Sequence, residues 1–136
     1  MKLRAPAVPL IAVDPYFSVW SPADKLTDTD TCHWTGHPNT VRGTVVVDGV
    51  EYRFIGTGAA PAMRQIACDI RAMSTAYVFE AAGIELEARF LTPAMIDDLY
   101  LVSRPVSYLE LTAVSKDGRD HQVRFFVDIS EELCLD

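Results

Sequence analysis

The chain predicts an all-β fold, an antiparallel β-sandwich built of hairpins, and three observations carry that prediction. Short runs of alternating apolar and polar residues recur from Val45 to Ile129. Turn signals separate them, at Asp48-Gly49, Ala82-Gly83 and Lys116 to Asp120. No amphipathic stretch is long enough to supply a helical layer; at most one short helical turn is expected. With 136 residues, 49% of them hydrophobic, residues 1–136 read as a single domain able to bury roughly two-thirds of its unfolded surface.

The elements follow in order. Residues 5–15, APAVPLIAVDP, carry three prolines around an apolar run, which suits an extended edge strand because proline cannot donate to a central ladder. Tyr16, Phe17, Val19 and Trp20 form an apolar-aromatic strand that breaks at Ser21-Pro22. The hairpin from Gly43 to Gly56 turns at Asp48-Gly49, a type I′ signal. That turn places Val47 opposite Val50, Val45 opposite Tyr52, Val46 opposite Glu51 and Thr44 opposite Arg53. Gly56 to Pro61 reads as a flexible connection.

From Gln65 to Ala72 the alternation puts Ile66, Cys68, Ile70 and Ala72 inward. Thr75–Ala81 and Ile84–Leu91 pair around Ala82-Gly83, with Phe79 and Leu86 on one face and Glu80, Glu85 and Glu87 on the other. A bulge at Gly83 would relieve the facing carboxylates. Thr92-Pro93 suits the start of a single helical turn, after which Leu99–Val102 resumes strand character. Val106–Ser115 and His121–Ile129 then read as a third hairpin across KDGRD. Its inward sets are Leu109, Leu111 and Ala113 against Val123, Phe125 and Val127.

The segment between Pro22 and Pro38 is the dense polar feature, with Asp24, Lys25, Asp28, Asp30, His33, Trp34 and His37. A long irregular segment in a compact domain is functional or flexible, and these residues are the candidates for substrate or interface contact. Several chemistries fail on spacing. Counting from Asp28, the EF-hand positions that need an oxygen ligand, a glycine and a glutamate hold Cys32, His33 and Asn39. His33 and His37 lie in poor helix sequence and lack the metalloprotease glutamate. A trio of Ser21, His33 and Asp24 or Asp30 lacks the GxSxG elbow. GTGAAP lacks the lysine and helix of a phosphate loop. Cys32, Cys68 and Cys134 form no CxxC pair; Cys68, on an apolar phase, reads as a buried small hydrophobe. Neither a metal nor another cofactor is expected, and no catalytic set is assigned. Trp20 and Trp34 would suit stacking against a sugar, the alternative being ordinary packing.

A formal charge of −7 argues against nucleic acid or an anionic membrane as partner, and no apolar run reaches the roughly 20 residues of a membrane span. Met1-Lys2-Leu3-Arg4 leads into proline-rich sequence without the apolar core of a secretory signal.

The stretches RAPAVPLIAVDPYFSVWSPADKLTDTDTCHWTG, VDGVEYRFIG and FLTPAMIDDLYLVSRPVSYLEL resemble the N-terminal region of the glutaminase A family. These are large fungal and bacterial proteins whose β-rich start is described as two adjoining domains of unknown function. The resemblance implies a fragment cut within the second of these, followed in the parent by an α/α-toroid-like catalytic region. The implied reaction of the parent is hydrolysis of L-glutamine to L-glutamate and ammonia. Its catalytic residues are expected downstream, so none is carried over. In this reading the chain is a non-catalytic scaffold whose partner is the downstream catalytic domain, reached through Asp24, Lys25, His33 and Trp34. Open sheet edges would invite a homodimer. A carbohydrate-binding sandwich, or an accessory domain of a glycosidase-like protein, is the alternative. Members of the family are often secreted, which leaves the location of this chain open.

Overall fold

The computed structural model describes residues 5–134. These form β1 (Val8–Ala12), β2 (Ser18–Ser21), β3 (Val41–Val47), β4 (Val50–Ile55), β5 (Arg64–Ile70), β6 (Ser74–Ala81), β7 (Ile84–Leu91), the helical turn α1 (Leu99–Val102), β8 (Tyr108–Ser115) and β9 (Val123–Ile129). A 3-10 turn at Glu131–Cys134 follows. The strands make three antiparallel sheets, β1-β2, β4-β3-β9 and β5-β6-β7-β8. No helix among the described residues is long and apolar enough to cross a membrane.

The β3-β4 hairpin has the register its turn dictates: Val47 faces Val50, Val45 faces Tyr52, Val46 faces Glu51 and Thr44 faces Arg53. Asp48 (φ 50°) and Gly49 (φ 86°) both adopt the left-handed backbone of a type I′ turn. Ala82 (φ 50°) and Gly83 (φ 80°) do the same between β6 and β7, where Phe79 meets Leu86 in full burial. Glu80 does lie opposite Glu85, but the ladder runs through without a bulge. The facing charges are relieved instead by flanking cations, Arg64 on Glu80 and Lys116 on Glu85.

The core is shared by the two larger sheets. Val45, Val47 and Phe54 pack with Phe79, Leu86 and Ala88, and Val8, Leu10, Val19 and Leu26 complete the cluster. Phe54 contacts Phe79 edge-on across the sheets and Phe125 within its own.

Four further expectations are corrected. The third hairpin does not form: β8 pairs with β7, β9 pairs with β3, and the KDGRD segment crosses from one sheet to the other. Each strand thereby lays its apolar row on the common core, since Leu109, Leu111, Ala113, Val123 and Phe125 all pack against it. Val127 remains 41% exposed. Second, Ile66, Cys68, Ile70 and Ala72 are exposed, because β5 is an edge strand at the core's margin. A register shift between Gln65 and Ala67 also puts Gln65 in place of Ile66 opposite Phe79, while Cys68 and Ile70 keep their places opposite buried Tyr77 and Thr75. Third, Cys68 is an exposed free thiol and not a core residue. Fourth, the helical turn starts at Leu99, where strand was expected. Asp98 caps it by accepting from the Tyr100 and Leu101 amides. Thr92 instead ties strands together, accepting from the Ala12 amide at 3.4 Å and lying 2.9 Å from the Ser107 hydroxyl.

Candidate functional site

The polar segment after β2 folds back on that strand and is tightly tied. Trp20 and Cys32 exchange backbone hydrogen bonds of 2.7 and 2.9 Å. Beyond them His33 to His37 closes a small hairpin, in which the His33 amide donates to the His37 carbonyl and Gly36 takes φ +90°. Buried Thr31 donates to the Asn39 carbonyl and accepts from the Val41 amide, and Asn39 reaches the Ser18 carbonyl. Leu26 is fully buried as the segment's apolar anchor. Its amide donates to the Gln65 side chain, which in turn donates to the Asp24 carbonyl.

The structure separates the candidate side chains. Asp30 is engaged with residues outside the segment. It accepts two hydrogen bonds from Arg42 (2.7 and 3.2 Å) and two from Thr57, through its amide and its hydroxyl. The Arg42 guanidinium, helped by Thr57, holds the Asp30 carboxyl far below the usual carboxylate range. Asp28 accepts from the Lys25 amide at 3.3 Å as a turn cap. Asp24, Lys25 and Asp28 are exposed.

His33 is held on both ring nitrogens. Nε2 lies 2.9 Å from the Pro15 carbonyl, which can only accept, so Nε2 carries the proton. Nδ1 then accepts from the Thr35 hydroxyl (2.8 Å) and amide (3.3 Å). The Trp34 indole donates to the same Pro15 carbonyl at 2.7 Å, while its ring stays 61% exposed. His37 uses Nδ1 on the Pro38 carbonyl at 3.2 Å. Burial pushes the Cys32 thiol up, the opposite of what a thiolate nucleophile needs.

His33 and His37 line an open cleft of about 300 Å³ together with Tyr16, Thr35, Asn39 and Glu132. Tyr16, Asn39 and Glu132 were not legible as site residues: Tyr16 read as strand, and Glu132 arrives from the far end of the chain. Arg53 was also missed. Its guanidinium donates to the carbonyls of Thr27, Gly56 and Ala60, pinning Gly56 to Pro61, which read as flexible, against the polar segment. A strand arginine beside a glycine-rich loop with many unpaired carbonyls is its only sequence signal. Among the described residues no group of three or more His, Cys, Asp or Glu is placed to hold a metal ion.

Comparison with known proteins adds the context. Residues 1–68 match the model of a domain of unknown function, DUF4964, and residues 73–136 match that of a second, DUF5127. The structure interleaves the two segments, since β9 of the second lies beside β3 of the first. Glutaminase A of Aspergillus oryzae (strain ATCC 42149 / RIB 40) is 29% identical over 138 aligned residues, covering 95% of this chain. The chain spans 20% of that relative's length. No solved structure matches. With half its length inside the first model and the second following directly, the chain belongs to the DUF4964 family and corresponds to the N-terminal region of the glutaminase A family.

Proposed function

We propose that the chain is a non-catalytic β-sandwich domain of a larger glutaminase A-like polypeptide, flanking a catalytic region that hydrolyses L-glutamine to L-glutamate and ammonia. The observation that carries this reading is the employment of the polar segment. Both nitrogens of His33 and both oxygens of Asp30 hold the fold, so neither serves as base or ligand without dismantling its own loop. An exposed apolar run supports it as well: Met95, Ile96, Leu99, Tyr100 and Tyr108 are each more than half uncovered. Such a band marks a contact surface, here one for the remainder of a polypeptide of which the matched stretch is 20% in the relative. Asp24, Lys25 and Trp34 project from the surface to meet that neighbour.

The test is a glutamine hydrolysis assay on the 136-residue chain and on the longer polypeptide. The expected result is activity in the longer protein alone; turnover by the 136 residues would defeat the reading. One observation favours a second role, carbohydrate binding, because Tyr16 (87% exposed) lines the cleft and Trp34 (61%), between cleft residues His33 and Thr35, also presents aromatic surface. Calorimetric titration against a glycan panel, with Trp34→Ala as control, decides it, and silence across the panel removes that role.

A further inference from the structure

The free edge of β9 is complementary to itself, and we infer that two copies of this chain pair antiparallel along it, about a two-fold axis at Phe126. β9 has β3 on one side, and among the described residues no strand lies on the other. The phase of its backbone can be read from the ladder ends. Ser130 donates to the Thr40 carbonyl and Asp48 to the Gln122 carbonyl, both pairs in register with Val41↔Ile129. Antiparallel ladders alternate, so Arg124, Phe126 and Asp128 turn their peptide groups to β3. Val123, Phe125, Val127 and Ile129 turn theirs to the open edge.

A second β9 centred on Phe126 uses those open groups. Phe125 then faces Val127 of the second copy and Val123 faces Ile129, each pair exchanging two backbone hydrogen bonds. The intervening close pairs are Phe126 with Phe126, and Arg124 with Asp128 on either side. Every apolar residue meets an apolar one and every charge its opposite, an isologous contact that closes after two copies. The pairing covers side chains the monomer leaves wet, Phe126 at 56%, Val127 at 41% and Ile129 at 57% exposure.

Other edges do not match it. β8 carries Glu110 and no basic residue, so no two-fold register offers that charge an opposite across the seam, and Arg89 of β7 already holds it. β5 is interrupted by its register shift, and β4 is partly covered where Arg53 bonds Pro61 and Met63. β9 has no proline, lysine or bulge of the kind that guards exposed edges.

The test is analytical ultracentrifugation of the 136-residue chain with three variants at exposed positions. The parent chain sediments as a dimer whose dissociation constant rises with salt, as exposed ion pairs require. Arg124→Asp alone and Asp128→Arg alone oppose like charges at two symmetric contacts, and each weakens dimerisation on the order of tenfold or more. The double variant with both changes returns to a dimer. Mixing the two single variants yields a heterodimer, which no loss of folding could mimic. A parent chain that is monomeric at every concentration overturns the inference, leaving the edge to a strand from elsewhere in a longer polypeptide. Dimers that persist in both single variants, or single variants that fail to combine, overturn it equally.

Discussion

Phe54 of β4 meets Phe79 of β6 edge-on, with ring centroids 6.2 Å apart and planes inclined at 62°. Both are fully buried, and each belongs to a different one of the two matched segments. The pair therefore joins by packing what the family models divide. Truncating either ring removes a large apolar volume from a core shared by both sheets. Phe54→Ala and Phe79→Ala should each destabilise the chain by about 3–5 kcal/mol, read as a fall in urea midpoint. The double variant should cost less than the sum, because the two rings share a contact.

Gly43 supplies a second test of the same core. It is buried in β3 beside the register shift with β4, and an added Cβ would stand 2.7 Å from the Phe54 ring and 3.0 Å from Ile55. Both neighbours are fully buried and have little room to move. Gly43→Ala should lower stability by about 1–3 kcal/mol from overpacking, measured by chemical denaturation. Gly118→Ala is not an equivalent control, since its φ of +75° adds backbone strain of another origin.

These two sites also show what sequence reveals and what it hides. The β3-β4 register was legible because Asp48-Gly49 fixes it locally, within a few residues of chain. The partners of β8 and β9 were not. Alternation tells which side chains share a face, and the same Leu109 and Phe125 rows would satisfy either a hairpin or two separate sheets. What decides is the long-range match of β9 to β3, a ladder from Val41↔Ile129 to Val47↔Val123 that no local signal encodes. Ile70 makes the complementary point, for it lies on the face of buried Thr75 yet is 42% exposed, because β5 is at an edge. At the candidate site, the seven polar residues were visible as a set. Their division was not, because Arg42, Thr57 and Pro15 claim them from outside the segment.

Asp30 illustrates that division and can be tested directly. Its carboxylate accepts from Arg42 and Thr57 and lies in the path of Gly56, whose added Cβ would approach Asp30 Oδ1 to 2.9 Å. Asp30→Asn keeps the shape but loses the charge and part of the fork. It should cost about 1–2 kcal/mol near neutral pH. The carboxyl is held below its ordinary value of 3.8, first by Arg42. Its contribution is therefore complete above that value and is lost as pH falls through the lowered one. Urea midpoints of the two proteins should differ at pH 7 and converge only in strong acid.

His121 sets the opposite pH limb. Its Nδ1 lies 2.6 Å from Asp48 and its Nε2 2.8 Å from Asp117, so the ring clasps the β3-β4 turn to the crossing between β8 and β9. Arg119 also faces Asp117 and competes for its charge. With an acceptor at each nitrogen, the doubly protonated ring is favoured. Asp48 and then Asp117 raise the His121 pKa above 6.5, and His121 in turn lowers both carboxyls. A raised histidine contributes fully below 6.5 and loses its contribution as pH climbs through the raised value. The two aspartates contribute above their ordinary 3.8 and fade only in acid. The clasp is thus strongest between about pH 4 and 6.5, the window bounded by these ordinary values. Thermal midpoints measured from pH 5 to 9 should fall on the alkaline side in the parent chain. In His121→Gln that fall should be shallower, because an amide keeps hydrogen bonding without a titrating proton. Parallel curves for the two proteins would show that the clasp holds no charge.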